Sequence, residues 1–580
     1  MDKKNYKYKD ADICKVMGID FLPEQLVGIT AECEPGVIIA SAGSGKTAVM
    51  AARVVHLVAN EIIPAEKILG LTFTNLATGE LRSRVRQSLA KLGVHSKDTT
   101  TSAEPFVTTY HAFASQMIKQ FGMLVGIEPD HQVISDVRRQ QLAARTISRS
   151  TVDFSKLTVP FNYILDRMLS LDDSLADSNV SIEEFEKFAQ QLINDSAILI
   201  PDEPKNKFKE LGEAQLVYAQ LVREFREQKM FYNALDYADM NRLALDIFNK
   251  TPKVKEQMRE QFQMVLLDEY QDTSIAQRVL IQSLFNEGHP VNAVGDPLQS
   301  IYAFRGASAK NISKFPEHFK LATGKESEIF NLPITQRNGK NIVDLANVLT
   351  DRLRAPDAHP ELVPLQPPKE PKYGPGKVHI SSFRTMEEEA TWIVNEIREC
   401  EAAGIPLEEI ALLFRKGKGI AWALKFLNEA GIPAQVRTKM DLLEVPEIVE
   451  LVSMLRVIAD PAANSAWVRI LTGPRWRIGN RDLAIIGKHA SRMAYDARVQ
   501  GVRGLDKALD AAIAGSDIAE NTAYGDAIAD IVENGNPDLS DAALSRIKNL
   551  HNEIQYLRAQ AGDPLKHFVY RVASVSGLLI

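Results

Sequence analysis

The feature that most constrains the fold is an apolar run that leads into a loop of small residues ending in lysine and threonine. Residues 36–40 read GVIIA, residues 40–47 read ASAGSGKT, and residues 48–61 have helical apolar spacing. Glycines in such a loop let backbone N–H groups converge on phosphate oxygens at the start of a helix. The spacing fits a phosphate-binding loop, although Ala40 stands where the first glycine is usual. The stretch therefore predicts a strand–loop–helix unit.

Every position of this loop is expected to contribute to a nucleotide site. The Lys46 ammonium is expected to reach the β- and γ-phosphates, and the Thr47 hydroxyl is expected to bind Mg²⁺. The predicted cofactor-binding residues of the loop are Ala40, Ser41, Ala42, Gly43, Ser44, Gly45, Lys46 and Thr47.

Further strand-like runs predict the sheet to which this unit belongs. Residues 67–74 read KILGLTFT, and two later runs, MVLLDE from Met264 and VNAVGD from Val291, end in acidic residues. Strands that alternate with helices are typical of parallel α/β sheets. Ligand groups collect at the carboxyl ends of parallel strands, so these acids are well placed for chemistry.

The sequence LLDEYQD places two acids side by side after a predicted strand. Asp268 is expected to hold Mg²⁺, directly or through water. Glu269 is expected to accept a proton from an attacking water, as hydrolysis of a γ-phosphate requires. A solvated acidic turn is the alternative for the pair alone, and the phosphate loop favours the catalytic interpretation.

The composition narrows the class of protein. At roughly 100–200 residues per domain, the 580 residues predict about three to five domains. A net charge of −7 gives no global sign of nucleic-acid binding, so any basic surface must be local. Three scattered cysteines without a CxxC pair argue against a disulfide scaffold and a zinc or iron–sulfur site. Because no signal peptide or bilayer-spanning apolar run is recognised, we expect a cytoplasmic protein without a membrane partner.

Several motifs resemble, in order and over nearly the whole length, those of superfamily 1 DNA helicases of the UvrD/Rep type. The matching segments are FLPEQ (21–25), TFTN (72–75), TTYHAF (108–113), LDYADM (235–240), TQRNGKNIVDLAN (335–347) and IALLFRK (410–416). The resemblance implies that Gln25 hydrogen-bonds the adenine base and that Arg337 is an arginine finger crossing from a second motor domain. It also implies that single-stranded DNA contacts Thr72, Phe73, Asn75 and His111.

The segment VGDPLQSIYAFRGAS (294–308) crowds polar and aromatic groups after a predicted strand. Gln299 is expected to sense the γ-phosphate. Tyr302 and Phe304 are predicted to stack on DNA bases, a contact worth roughly 1–3 kcal/mol with any sequence. Arg305 is expected to pair with a DNA phosphate or with acids near the nucleotide. The alternative is that the two rings are core aromatics, and the flanking glutamine and arginine favour stacking.

The resemblance also implies an α/β fold class, with RecA-like P-loop motor domains on parallel sheets and two largely helical inserted subdomains. The first motor domain is expected at 1–115 and 233–318, around a helical insertion at 116–232. The N-terminal half of a second motor domain is expected at 319–440, and an incomplete helical accessory insertion at 441–580.

The implied activity is ATP hydrolysis coupled to 3′-to-5′ movement on single-stranded DNA and to unwinding in repair or recombination. The expected cofactors are ATP and Mg²⁺, and the expected partners are single-stranded and duplex-junction DNA. The stretches GKTAVMAARVVHLVAN and LTGPRWRIGNRDL also resemble the actinobacterial helicase–nuclease subunits AdnA and AdnB. A second helicase–nuclease subunit is therefore a further expected partner.

The accessory region contains a predicted contact for duplex DNA. Arg477 and Gly479 belong to the sequence RIG, at the place where the family contacts the duplex backbone. Backbone amides near Gly479, together with Arg475, suit phosphates. A helix-ending glycine with solvated arginines is the alternative.

The chain departs from the family pattern at several positions. Ala48 stands where arginine is usual, and Gln336 stands where an aromatic residue is usual. Those two groups sandwich the adenine, so weak base discrimination is predicted. Leu76 replaces a frequent lysine, so one contact to the DNA backbone is expected to be missing.

Two further hypotheses concern the extent and the activity of the chain. The family's later motifs do not follow HFVYRVASVSGLLI, so the chain is expected to be incomplete and unable to unwind DNA by itself. The competing function is a non-motor subunit of a helicase–nuclease complex that binds nucleotide and DNA. The residues that favour hydrolysis over this alternative are Lys46, Asp268, Glu269, Gln299 and Arg337.

Overall fold

The chain forms two compact units, Met1–Ile380 and Ser381–Ile580. The structure, a computed structural model, describes residues 6–92, 104–128, 131–157, 159–196, 202–354, 362–369, 374–436, 445–501 and 523–578. The first unit is organised by a parallel sheet, whereas the described residues of the second unit form helices and connecting loops. The division into five segments drawn from the sequence stays a prediction.

A sheet of six strands, in which every neighbouring pair is parallel, lies at the centre of the first unit. The strands within the described ranges are β1 (Gly36–Ala40), β2 (Ile68–Thr72), β3 (Phe106–Thr109), β4 (Gln132–Val133), β5 (Ala234–Leu235), β6 (Met264–Leu267), β7 (Val291–Gly295) and β8 (Glu328–Leu332). The order across the sheet is β3-β2-β6-β7-β1-β8, and β4 pairs with β5 in a separate ladder. The predicted α/β fold with a parallel sheet is confirmed.

Both faces of this sheet are covered, as is usual for parallel strands. In β1, Val37 and Ile39 belong to one apolar core, and Ile38 and Ala40 belong to another. Every residue of β1, β2 and β7 is buried, which explains why the sequence shows continuous apolar runs there. Because the Ala40 methyl group packs in a core, alanine is accommodated where phosphate loops usually have glycine.

The helices of the first unit follow its strands and fill the insertion between β3 and β6. They are α1 (Asp10–Met17), α2 (Pro23–Thr30), α3 (Lys46–Ala59), α4 (Asn75–Lys91), α5 (Tyr110–Phe121), α6 (Asp136–Arg149), α7 (Phe161–Ser178), α8 (Ile182–Ser196), α9 (Asp202–Phe231), α10 (Tyr237–Lys250), α11 (Pro252–Gln261), α12 (Ile275–Leu284), α13 (Lys310–Ser313), α14 (Phe315–His318) and α15 (Lys340–Thr350). The side chains of Thr74 and Thr109 cap α4 and α5, so these helices begin directly after strand ends.

A buried ion cluster, named here the Lys229 cluster, joins the helical insertion to α10. Lys229 is 1% exposed, and its Nζ lies 3.1 Å from a carboxylate oxygen of Asp172 and 2.9 Å from oxygens of Asp236 and Asp239. Arg139 of α6 lies 2.9 Å from Asp236. Buried charges of this kind persist only when they are paired. The cluster therefore fixes α6, α7 and α9 against the start of α10.

The carboxyl ends of the six parallel strands meet at one edge of the sheet, where α/β proteins collect ligand groups. The predicted motifs occupy this edge: the phosphate loop follows β1, TFTN follows β2, TTYHAF follows β3, Asp268 follows β6, Asp296 follows β7, and Thr335–Arg337 follow β8. The topology therefore gathers segments that lie hundreds of residues apart in the chain.

The second unit is helical in its described part. Its helices are α16 (Met386–Ala402), α17 (Lys418–Glu429), α18 (Pro446–Ala459), α19 (Asn464–Thr472), α20 (Asn480–Gly501), α21 (Tyr524–Asn534), α22 (Asp541–Ala559) and α23 (Leu565–Val575). The helices from α18 onward share an apolar core that includes the buried Trp467. Across the described ranges of both units, no helix combines the length and the apolar character needed to cross a membrane.

The apolar runs VHISSF (378–383) and EIALLF (409–414), whose pattern predicts strands of a second α/β domain, are not strands. Residues 378–383 and 409–414 have no strand pairing with any part of the chain that the structure describes. Ile380 is 85% exposed and Leu413 is 93% exposed. An apolar run becomes a strand only when a neighbouring backbone takes up its hydrogen bonds, so the prediction from the apolar pattern was wrong here.

Candidate nucleotide and DNA site

The loop between β1 and α3 has the backbone conformation of a phosphate cradle. Gly43 and Gly45 have φ of +77° and +84°, and Gly45 caps the N-terminus of α3. These positive φ values favour glycine. A Cβ at Gly43 would also lie 2.5 Å from Thr335 Oγ1 and 2.9 Å from Arg337 Cβ. The loop is therefore shaped both by its own glycines and by the segment after β8.

Two buried polar groups of the loop are left for a ligand. Ser44 is fully buried, and its Oγ has no hydrogen-bond partner among the described residues. Lys46 Nζ lies 3.0 Å from Glu269 Oε2 as an ion pair, but not in hydrogen-bond geometry, and it has no other acceptor in the described ranges. Buried donors without acceptors are costly. An anionic triphosphate would satisfy both, so these residues fit the predicted ATP.

The acids after β6 form the second half of the nucleotide site. Burial, and then repulsion from Glu269, raises the pKa of Asp268 to about 7. Glu269 has φ of +45°, in the left-handed region that side chains other than glycine rarely adopt. Asp268 Oδ1 accepts a hydrogen bond from the Glu269 backbone N at 3.1 Å. The strand end thus holds Glu269 in a strained conformation beside Lys46.

A hydrogen-bonded path leads from Glu269 to the segment after β7. Gln271 Nε2 donates to Glu269 Oε2 at 2.8 Å, and Gln271 Oε1 accepts from the Asp296 backbone N at 3.0 Å. Gln299 Nε2 then donates to Asp296 Oδ2 at 2.7 Å. The structure therefore connects Lys46, Glu269 and Gln299, three residues that were predicted separately.

Sequence reasoning missed three residues of this site: Gln271, Asp272 and Asp296. Asp272 is 7% exposed, and its Oδ1 has no hydrogen-bond partner in the described part of the chain. Burial, followed by repulsion from Glu269, raises the pKa of Asp272 to about 6. All three belong to polar stretches directly after strands β6 and β7, and that position was the available signal.

Gln25 is buried beside the phosphate loop. It is 5% exposed; Nε2 donates to the Ser44 carbonyl oxygen at 2.8 Å, and Oε1 accepts from the Leu22 backbone N at 2.7 Å. These bonds hold the phosphate loop against α2, and the contact of Gln25 with the adenine base stays a prediction.

Arg337 lies beside the phosphate loop within the first unit. It follows β8 of the same sheet as β1, and the backbone N of the preceding Gln336 donates to the Gly43 carbonyl oxygen at 2.8 Å. Its side chain is exposed. The expectation that this arginine crosses from a second motor domain is not met, because β8 completes the first sheet.

The predicted Mg²⁺ ligands, Thr47 in the first turn of α3 and Asp268 after β6, lie at the same edge of the sheet, where β7 separates β1 from β6. In the described ranges, no group of three or more histidine, cysteine or acidic side chains is placed to hold a metal ion. Mg²⁺ commonly binds through one or two protein oxygens together with phosphates and water. The residues therefore fit a metal that arrives with a nucleotide.

The segment after β7 presents a group of aromatic rings. Phe73, after β2, lies 4.8 Å from Tyr302 between ring centroids, and Tyr302 lies 5.9 Å from Phe304. The Arg305 guanidinium lies 5.7 Å from the centroids of both Tyr302 and Phe304. Phe304 is 78% exposed, so it is not a core aromatic. A row of rings that is partly buried at Phe73 and Tyr302 and exposed at Phe304, beside a cation, suits a flexible nucleic-acid strand.

The remaining predicted DNA contacts of the first unit differ in accessibility. Asn75 is exposed, and His111 is partly buried and packs edge-on against Tyr237, which is 60% exposed. Tyr237 is a further candidate contact that the sequence reading did not assign. Thr72 is fully buried, and its Oγ1 bonds to the Thr74 carbonyl and to Thr78 Oγ1. These bonds hold the start of α4, and the contact of Thr72 with DNA stays a prediction.

The predicted duplex contact lies in the second unit. Arg477 has φ of +49°, and its Nε donates to the Pro474 carbonyl oxygen at 2.6 Å. Gly479 is exposed and directly precedes α20, so it does not end a helix. Arg475 forms a bidentate pair with Glu553 at 2.7 Å and is engaged within the protein. A contact with duplex DNA by Arg477 and Gly479 stays a prediction.

Comparison with known protein families shows to which family the chain belongs. Residues 22–320 match the UvrD/REP helicase N-terminal domain, and residues 331–497 match the UvrD-like helicase C-terminal domain. The chain belongs to the UvrD/Rep helicase family. The resemblance inferred from the motifs is thereby confirmed, whereas the closer relation to AdnA and AdnB stays a prediction.

Curated relatives of this UvrD/Rep-family chain are named as DNA helicases. It is 26% identical over 576 residues to ATP-dependent DNA helicase UvrD1 of Mycobacterium leprae, which covers 96% of the chain and 64% of the relative. It is 25% identical over 473 residues to ATP-dependent DNA helicase PcrA of Staphylococcus epidermidis, covering 80% and 58%. For DNA helicase II of Haemophilus influenzae the identity is 26% over 457 residues, covering 78% and 56%. The chain spans about three fifths of the length of these relatives.

Proposed function

We propose that this chain binds ATP with Mg²⁺ and uses its hydrolysis to move along single-stranded DNA from the 3′ toward the 5′ end, in DNA repair or recombination. One observation carries the proposal: the contacts from Lys46 through Glu269 to Gln299 continue into the segment that holds the partly buried Tyr302 and the exposed Phe304. Groups suited to a triphosphate and groups suited to a nucleic-acid strand thus share one edge of one sheet. The relatives' names as ATP-dependent DNA helicases support the same activity.

The residues at this edge of the sheet have separate roles in ATP hydrolysis. The loop amides, Ser44 and Lys46 bind the phosphates, and Thr47 with Asp268 would hold Mg²⁺, which neutralises charge on the phosphate oxygens when bound. Glu269 accepts the proton of the attacking water. The exposed Arg337 stabilises negative charge that develops on the γ-phosphoryl group.

Coupling between ATP hydrolysis and DNA binding follows from the hydrogen bonds that connect Glu269 with the segment after β7. A change in the groups around Glu269 acts on Gln299 through Gln271 and Asp296, and Gln299 lies three residues before Tyr302. Reciprocal coupling between two binding sites requires that each ligand favours a different arrangement of a common element. The segment after β7 is that element.

The primary test is ATP hydrolysis by the full 580-residue chain, with and without oligo(dT), beside Lys46→Ala and Glu269→Gln. We expect DNA to stimulate hydrolysis in the unmodified chain. Glu269→Gln removes the proposed proton acceptor and is expected to lower the rate of ATP hydrolysis about 10²- to 10⁴-fold, while nucleotide binding is retained. Full activity of Glu269→Gln would contradict the proposed role of Glu269. Nucleotide binding without hydrolysis by the unmodified chain, and therefore no loss in Glu269→Gln, would favour the non-motor subunit of a helicase–nuclease complex.

The direction of movement needs a separate test. A translocase that moves toward the 5′ end displaces streptavidin from a 5′-biotinylated oligonucleotide and leaves a 3′-biotinylated one occupied. We expect that pattern in the presence of ATP. Displacement only from the 3′ end would overturn the proposed direction without affecting the proposed hydrolysis.

A further inference from the structure

Gln271 is placed between the two loops that follow the adjacent strands β6 and β7. Its side chain is 1% exposed, and both ends of its amide are used: Nε2 bonds Glu269 at 2.8 Å and Oε1 bonds the Asp296 backbone N at 3.0 Å. A buried amide with both ends engaged has a fixed orientation. Because one end holds each loop, displacement of either loop acts on the other.

The surrounding backbone is built to admit this amide. A Cβ at Gly295 would lie 2.3 Å from Gln271 Oε1 and 2.7 Å from Ile312 Cδ1, so any side chain at position 295 would expel the glutamine or shift the strand end. Ser300 Oγ also donates to the Gln271 carbonyl oxygen at 3.2 Å. The segment after β7 therefore contacts both the side chain and the main chain of Gln271.

The Nε2 end of the Gln271 amide contacts Glu269, whose backbone conformation is strained. Glu269 has φ of +45°, and such a conformation persists only when its surroundings hold it. Gln271 Nε2 and Lys46 Nζ lie on the same carboxylate oxygen, Oε2, at 2.8 Å and 3.0 Å. Since Lys46 is the proposed ligand of the phosphates, Gln271 is the group that continues to orient Glu269 when a nucleotide binds.

We infer that Gln271 is a positioning residue that links the segment after β7, which carries the proposed DNA contacts Tyr302 and Phe304, to Glu269. DNA binding thereby controls the orientation of the proposed catalytic base. The inference rests on the proposed function and adds a regulatory residue to that site. Gln271 acts through Glu269 and Asp296 and itself takes no proton.

Two variants and a matched control test this role. Gln271→Met removes both hydrogen bonds at similar size, and Gln271→Glu removes the donor to Glu269 while it keeps an acceptor for Asp296. The control is Gln277→Met, which changes a glutamine that is 5% exposed and whose side-chain Oε1 accepts from the Ser274 backbone N within a helix cap. Thermal melting establishes that each variant is folded.

Two readouts separate this role from a merely structural one. The first is kcat and KM for ATP with and without oligo(dT); the second is the change in the Kd for oligo(dT) when a non-hydrolysable ATP analogue saturates the protein. For both Gln271 variants we expect KM within about twofold of the unmodified chain. We expect a loss of about tenfold or more in DNA stimulation and no effect of the analogue on Kd, because coupling typically amounts to about 5- to 150-fold in affinity. Gln277→Met is expected to keep both effects.

The outcomes distinguish this inference from the proposed function. Unchanged DNA stimulation and an unchanged analogue effect in folded Gln271 variants would overturn the inference and leave the proposed function standing. If the unmodified chain does not hydrolyse ATP, but the analogue shifts its Kd and the Gln271 variants abolish that shift, the inference stands and the hydrolysis proposal fails. An unmodified chain whose Kd for oligo(dT) does not respond to the analogue overturns the inference directly.

Discussion

Gly306, in the segment after β7, packs directly on Asp177 in the last turn of α7. A Cβ at Gly306 would lie 2.5 Å from Asp177 Cβ, and Gly306 has φ of +76°. Both the conformation and the lack of space require glycine. The helical insertion thus determines where the segment with the exposed rings can lie.

We predict that Gly306→Ala weakens binding of single-stranded DNA. The added methyl group must displace the segment from α7, and with it Tyr302 and Phe304; we expect a rise in the Kd for oligo(dT) of about tenfold, since misplaced rings lose part of their stacking energy. Fluorescence anisotropy with labelled oligo(dT) measures the effect. The control is Gly324→Ala, where φ is +80° but nothing lies within 4 Å of the added atom. Equal effects of the two substitutions would show that backbone strain, not the contact with Asp177, is responsible.

Asp177 also predicts a pH dependence of stability. Burial, followed by repulsion from Asp173, raises the pKa of Asp177 from 3.8 to about 6. Because the folded-state pKa is above the unfolded-state value, the stabilising contribution is full below about pH 4 and is lost as pH rises through about 6. Asp177→Asn is therefore expected to be more stable than the unmodified chain at pH 7.5, by about 1–2 kcal/mol. The full pKa shift of Asp177 would correspond to about 3 kcal/mol, and the expected difference is smaller because the carboxylate is partly exposed and solvent screens its charge.

Urea denaturation at pH 4, 5, 6 and 7.5 measures this difference. The exposed Asp166 on the same helix provides the control, and Asp166→Asn is expected to follow the unmodified chain at every pH. A constant difference between Asp177→Asn and the unmodified chain from pH 4 to 7.5 would contradict the assignment.

Removal of Lys229 is predicted to destabilise the first unit strongly. Lys229→Met leaves three buried carboxylates without their common cation, and breaking a buried ion cluster in this way costs about 3–5 kcal/mol. The free energy of unfolding in urea is the measurement. Lys156→Met removes an exposed pair with Glu213 and is expected to cause no measurable change. A small effect of Lys229→Met would mean that the cluster relaxes or admits water.

Phe304 is predicted to supply stacking energy to DNA. Phe304→Ala is expected to weaken binding of oligo(dT) by about 1–3 kcal/mol, with little dependence on base sequence. Phe188→Ala removes another exposed ring, 52% exposed on α8, and is expected to leave the affinity unchanged. Equal affinities of Phe304→Ala and the unmodified chain would remove this ring from the proposed DNA surface.

Base discrimination is predicted to be weak. Ala48 is partly buried against the core beside β1, the exposed Gln336 carries no ring, and Gln25 is engaged within the protein. Because neither Ala48 nor Gln336 can stack on a base, ATP, GTP, CTP and UTP are expected to give kcat/KM values within about tenfold of one another, since a larger ratio requires specific contacts. A preference for ATP of a hundredfold would show that other residues read the base.

The sequence was most informative where local chemistry alone determines structure. The phosphate loop between β1 and α3 and the acids after β6 were predicted because glycine spacing and strand-end acids are short-range signals. Position in the sheet was not predictable in the same way. The run that became β8 was assigned to a second domain, since nothing in Glu328–Leu332 shows that its partner is β1.

The contacts of single residues were not predictable for a different reason. Gln25 and Thr72 are buried and bonded within the protein, contacts that a motif position does not reveal, and their ligand contacts stay predictions. Gln271 was missed for the same reason. Its importance lies in contacts with Asp296 and with the space beside Gly295, and these contacts depend on how β6 and β7 pair.

The position of β1 in the sheet also has a consequence for biosynthesis. Gly36 pairs with Asn292 on one side and with Glu328 on the other, so both neighbours of β1 are made more than 250 residues after it. Contacts of such high sequence separation form late and slow folding. A nascent chain that has not yet emerged beyond residue 291 therefore carries the phosphate loop on an apolar strand without either neighbour, and a second strand edge stays open until residue 332 is made. Exposed apolar strands of this kind favour aggregation before folding is complete.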